Sequence, residues 1–264
     1  MNSIILGTHQ KIDRIARRKL QPYIPHGIHF PTSRQILNFE GLHGPDSVKI
    51  KTITGEEPRH FINPDDPTDR ALYEMVAAHE ANLIKALADD EREKAAFEAA
   101  WLAHALVDGL TPAHHYPYEE KLAELRGGLK DEPRDSKLKR VFVPGDGVRG
   151  KLKNNMAFIG PKGLWMLHWQ FEMGIDLVAR PLRFSEVHLS KGDRRLVRDA
   201  GSILPRYEKA VQKIHHLRMY DQFLEKGWTT RLAFLTKNQL MPEAIRMVLL
   251  SWYYCAWAAR QDSR

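Results

Sequence analysis

The segment "WLAHALVDGLTPAHHYP" places His104, Asp108 and His114 within eleven residues, with His115 immediately after. Imidazole nitrogen and carboxylate oxygen are both ligands for a divalent cation, and side chains four residues apart share one face of a helix. His104 and Asp108 are therefore spaced to reach one ion together. The same His-x-x-x-Asp/Glu spacing recurs at His9/Asp13, His115/Glu119 and His168/Glu172. With 13 His and 33 acidic residues in 264 positions, chance alone gives about one or two such pairs. Four is a mild excess, and any single pair equally reads as a surface contact or a satisfied core histidine.

Surroundings separate the pairs. His104 and Asp108 lie among Trp101, Leu102, Ala105, Leu106 and Val107; His168 and Glu172 lie among Leu164, Trp165, Met166, Leu167 and Phe171. A carboxylate buried in such company costs several kcal/mol unless it is paired or bound to a metal. Basic residues are sparse on both segments, so a cation from outside the chain is the economical partner. His9/Asp13 is flanked by Lys11 and Arg14, which makes Asp13 their solvated partner. His115/Glu119 follows a proline turn and fits either reading.

Helical signals position these pairs. "HQKIDRIARRKL" has apolar residues at helical spacing and is stopped by Pro22 and Pro25. "DPTDRALYEMVAAHEANLIKAL" reads as a helix opened by Asp66 or Thr68, and "EREKAAFEAAWLAHALVDGL" as an Ala-rich helix ended by Gly109 and Pro112. A short helix in "YPYEEKLAELRGG" follows, then "GLWMLHWQFEMGIDLVAR", a helical stretch near Arg194–Leu217, and "PEAIRMVLLSWYYCAWAARQ". The aromatic run Trp252, Tyr253, Tyr254 and Trp257 in the last of these reads as core rather than membrane-facing. No strand pattern or repeat emerges. The expectation is a single all-α domain over 1–264, a multi-helix bundle with long loops at Gln21–Asp66 and Gly127–Pro161 around a metal cleft. The second loop reads as an irregular basic insertion, about 127–161.

Composition narrows the function classes. The hydrophobic share of 43% and charged share of 28% are globular. No apolar run is long enough to span a bilayer, and the first ten residues lack the basic flank of a secretory signal. One cysteine, Cys255, supplies neither a disulfide framework nor a thiolate metal site and suits a reducing, cytoplasmic setting. The net charge of +7 favours an anionic partner: a phosphate ester, a nucleic acid or peripheral contact with an anionic membrane. A His and carboxylate ligand set suits Zn²⁺ over copper or an iron–sulfur cluster.

"AHALVDGLTPAH" resembles the H-x3-D-x3-P-x-H pattern of the zinc-dependent phospholipase C family, which shares its fold and trinuclear centre with secreted single-strand zinc nucleases. Other elements align in order: His9 in "THQKIDRIA", Asp46 fourteen residues before His60 in "RHFINPDD", and the pair His168/Glu172. The resemblance covers residues 9 to 172, about two-thirds of the chain. It implies an all-α fold with two or three zinc ions in a cleft. One would be held by Asp46, His60, His104 and Asp108, a second by His114, His168 and Glu172. A third would be held by His9, a bridging Asp108 and the chain terminus. Asp46 would complete the first shell or orient the attacking water as base.

The chain also departs from that pattern. It begins Met1-Asn2 where secreted members begin with Trp, and the interval from His114 to His168 is longer than usual. Ser47 and Glu57 stand where choline-specific members have aromatics, so choline recognition is not carried over. The resemblance implies a metal-dependent phosphoric ester hydrolase that uses an activated water, with a phospholipid as the first expected substrate. The alternatives are a nuclease-type phosphodiesterase on single strands and a non-catalytic helical protein with structural zinc. "LKDEPRDSKLKR" mixes charge signs without aromatics and gives little support for stacking on bases. Phe61 could stack on a base or pack in a wall. His26, His29 and His43 read as loop surface; His79, His188, His215 and His216 read as structural.

Overall fold

The computed structural model describes residues 7–40, 44, 61–125, 143 and 145–262, and every regular element among them is helical. The helices are α1 (Thr8–Leu20), α2 (Ser33–Glu40), α3 (Ala71–Ala88), α4 (Arg92–Asp108) and α5 (Tyr118–Leu125). They continue as α6 (Gly147–Ile159), α7 (Leu164–Ala179), α8 (Lys191–Ala200), α9 (Leu204–His215), α10 (Met219–Lys226), α11 (Thr230–Leu235) and α12 (Met241–Asp262). The expected all-α class holds.

The core forms around α12, which packs on α1, α3, α4 and α8. Its aromatic run is interior: Trp252, Tyr253 and Tyr254 are buried, and the Trp252 indole N–H donates to the Ala99 carbonyl at 3.1 Å. The facing helix α4 buries Ala95, Ala96, Ala99, Ala100 and Ala103, small side chains that let the two backbones approach closely. One continuous apolar cluster results, with a small satellite of Leu122, Val143 and Phe158 beneath α5 and α6.

Three boundaries differ from the sequence expectation. Helix α3 starts at Ala71, because Asp66 spends its carboxylate on a local turn with the Thr68 amide (2.8 Å) and hydroxyl (2.7 Å). The stretch near Arg194–Leu217 is two helices, parted at Gly201, whose φ of +68° ends α8 in the left-handed region that glycine favours. Neither long loop is wholly irregular. Helix α2 lies inside Gln21–Asp66, and α6 lies inside Gly127–Pro161, held by paired hydrogen bonds between the Asn155 amide and the backbone of Val143 (3.0 and 2.9 Å).

Candidate metal centre

Five elements bring the chemistry-bearing side chains together. His9 lies in the first turn of α1, Glu40 ends α2, and His104 and Asp108 occupy the last turns of α4. His114 sits on the 3-10 turn Pro112–His115, and His168 and Glu172 lie on successive turns of α7. The end of α4 is fixed from outside. The Tyr207 hydroxyl of α9 donates to the Ala105 carbonyl at 2.9 Å, in space that a side chain at Gly109 would fill, since a Cβ there would stand 2.0 Å from that oxygen. The following turn is closed by the Thr111 hydroxyl on the Val107 carbonyl (2.9 Å), and the Ile62 amide donates to the His114 carbonyl (3.0 Å).

An inner group forms around Glu40. Its Oε1 stands 3.0 Å from His104 Nδ1 and 3.6 Å from His9 Nδ1, and the two imidazoles stack at 4.3 Å and 21°. An outer group forms around Glu172, whose Oε1 is 3.0 Å from His114 Nε2 and 3.1 Å from His168 Nε2. Asp108 lies between them. Its Oδ2 is 3.2 Å from His104 Nε2, while Oδ1 is 3.4 Å from His9 Nε2 and 3.9 Å from His114 Nδ1. His114 thus presents one nitrogen to Asp108 and the other to Glu172. Phe61 stacks on His114 at 5.1 Å and lies 5.8 Å from His168, so its ring packs in the wall against these imidazoles.

Of the residues expected from sequence, His9, His104, Asp108, His114, His168 and Glu172 converge; Asp46 and His60 lie outside the described residues. His9 and His104, which the resemblance assigns to different ions, share Glu40. That glutamate was not anticipated. It ends a helix within a stretch that reads as loop, and the histidine three residues on, His43, reads as loop surface. Asp13 overturns its expected role as a solvated partner of Lys11 and Arg14. It is 2% exposed, on the face of α1 that packs inward one turn beyond His9. The other histidines serve elsewhere: His79 pairs with Glu98 at 2.6 Å, His29 with Asp90 at 3.0 Å and His215 with Asp65 at 3.1 Å. His115 bonds the Gly109 carbonyl at 2.9 Å and is not drawn into either group.

Among the described residues, the inner group is short of positive charge. Asp13, Glu40 and Asp108 are all buried, and the ion pairs Glu40 makes among the described residues are to imidazoles alone. Asp13 Oδ2, Glu40 Oε2 and His9 Nδ1 have no hydrogen-bond partner among the described residues. Burial, reinforced by Glu40, raises the Asp13 pKa well above the carboxylate range. Burial would lower the pKa of His104, but Asp108 and Glu40 outweigh it and push it well above the usual imidazole value. In the outer group, burial would raise Glu172, yet hydrogen bonds from His114 and His168 hold it well below the carboxylate range.

The geometry fits metal ions. Each group, His9–Glu40–His104 and His114–His168–Glu172, offers three ligand atoms within 4.8 Å of one another and could hold one. With metal–ligand bonds of about 2.0–2.1 Å, neighbouring ligand atoms of a tetrahedral shell stand about 3.3 Å apart, close to the 3.0–3.6 Å spacings around Glu40 and Glu172. No protein-family model matches the chain, and neither curated proteins nor solved structures give a significant match.

Proposed function

We propose that this protein is a metal-dependent phosphodiester hydrolase of the phospholipase C type, with zinc as its resident ion. The observation that carries this reading is Asp108, a single buried carboxylate within 4 Å of imidazoles from both ligand groups. Two ligand groups sharing one carboxylate are the arrangement of a clustered hydrolytic centre rather than of a closed structural site, which is mostly cysteine-rich. The lone Cys255 is buried and directed at the Glu80 carbonyl (3.8 Å), so it takes no part.

Clustered divalent ions, when bound, lower the pKa of a bound water and neutralise charge on phosphoryl oxygens. The protein's own groups orient that chemistry. Glu40 and Asp108 grip opposite nitrogens of His104 and fix its ring. Glu172, with its side chain 41% exposed, is the carboxylate of the set most open to an incoming phosphodiester. Phe61 has its ring against His114 and His168, which makes it a wall rather than a platform for a base and favours a head-group phosphodiester over a stacked nucleotide.

Elemental analysis of the purified protein, combined with turnover of bis-p-nitrophenyl phosphate, short-chain phosphatidylcholine, phosphatidylglycerol and a single-stranded oligonucleotide, tests the proposal. Expected are two or three zinc per chain and hydrolysis of the model diester and a phospholipid, lost on chelation and restored by zinc. Bound zinc with no turnover of any diester would make the centre structural, and wild-type turnover after complete metal removal would end the reading.

A further inference from the structure

The apolar surface of α6 is turned outward. Val148, Leu152, Met156 and Ile159 are exposed by 85%, 66%, 54% and 39%. At 3.6 residues per turn their side chains fall within about a quarter of the helix circumference. Arg149 and Lys153 flank this stripe on one side and Lys151 on the other, all three exposed. The side of α6 away from the stripe is anchored, through Phe158 in the satellite core and the Asn154 amide, which donates to the Leu125 carbonyl at 3.0 Å. Exposed apolar residues are thus the outer face of a positioned helix.

Helix α7, which packs against α6, carries two further exposed aromatics. Trp165 and Trp169 are exposed by 46% and 43%, with ring planes nearly parallel at 9° and centroids 6.5 Å apart. From Gly147 to Phe171 the chain carries Arg149, Lys151, Lys153 and Lys162 and no acidic residue. An apolar stripe bordered by Lys and Arg, with exposed indoles on the helix packed beside it, matches the interface of an anionic bilayer: apolar side chains enter the acyl boundary, indoles sit at head-group depth, and cations meet lipid phosphates. A second copy of the chain is a poor occupant, because two such faces would bring their basic flanks together.

We infer that the outer face of α6 and the start of α7 form a docking surface for anionic phospholipid membranes. This inference rests on the surface alone and holds whether or not the metal centre hydrolyses lipid. The helix that carries these indoles, α7, also carries His168 and Glu172.

The test is co-sedimentation of the full-length protein with vesicles of equal parts phosphatidylcholine and phosphatidylserine, against vesicles of phosphatidylcholine alone. Expected is binding to the anionic vesicles that weakens with added salt, with affinity reduced on the order of tenfold or more in both L152D/M156D and R149E/K153E. Circular dichroism of both variants should match wild type, since all four side chains are exposed. Wild-type protein that ignores the anionic vesicles would overturn the inference, as would undiminished binding by folded L152D/M156D. A concentration-dependent dimer dispersed by L152D/M156D, with no vesicle binding, would assign the face to a second copy instead.

Discussion

The inner and outer ligand groups are built from the same residue types and differ in balance. Around Glu40, three buried carboxylates meet stacked imidazoles, and the glutamate side chain is only 3% exposed. Around Glu172, one carboxylate lies between two imidazoles and is 41% exposed. Among the described residues the first group is acid-rich, and the second balances one carboxylate against two imidazoles. The difference teaches which side would retain a metal and which would face substrate: excess charge and burial favour retention inside, accessibility favours exchange outside.

The largest expected effect comes from removing the inner imidazole. His104→Ala removes the imidazole that both Glu40 and Asp108 contact most closely and leaves His9 alone to face them, a loss of about 3–5 kcal/mol for breaking a buried pair. Thermal unfolding followed by circular dichroism should show a markedly lower midpoint even without metal; an unchanged midpoint would mean the inner group is not charge-strained. Asp108→Asn comes next. It should lower metal content at both groups and cut phosphodiester turnover by more than the about 10–100-fold typical of a supporting contact. Metal lost from one group only would remove Asp108 as the link.

Glu172→Gln sharpens the contrast more gently. The fold should be retained, the outer ion should be lost, and the inner ion should remain, so elemental analysis should find one metal fewer per chain. A chelator time course on wild type should likewise strip the outer ion first; simultaneous release would erase the distinction between the groups. The smallest effect concerns Asp13. Its pKa is raised by burial and by Glu40, so the metal-free folded chain holds a proton there that the unfolded chain releases above about pH 3.9. Stability therefore falls as pH rises through that window, by up to about 1.4 kcal/mol per pH unit. Asp13→Asn removes this contribution. Urea unfolding of metal-free protein should show the variant gaining on wild type as pH rises above about 4; parallel curves would refute a buried, protonated Asp13.

Much of this organisation was legible in the sequence. The spacing of His104 and Asp108 on an apolar helix, and of His168 and Glu172 on another, depends only on helical geometry, which periodicity reveals. The interior position of Trp252, Tyr253 and Tyr254 followed from the same signal. Glu40 was not legible, because its partners come from α1 and α4 and no local spacing marks a contact that tertiary packing creates. Asp13 was misread for a related reason. Lys11 and Arg14 are its neighbours along the chain, but a helix turns them to other faces. In α6 the apolar period is present, yet the Gly and Lys content reads as loop, and the stripe faces outward where a core-facing one is the ordinary expectation.

The absent side chain at position 109 reaches further than its own turn. The Tyr207 phenol occupies the vacancy and clamps the end of α4, so a helix that contributes no ligand helps to hold the turn that carries two. That helix also packs on the turn that carries His114, so one neighbour braces two of the segments of chain that meet at the centre.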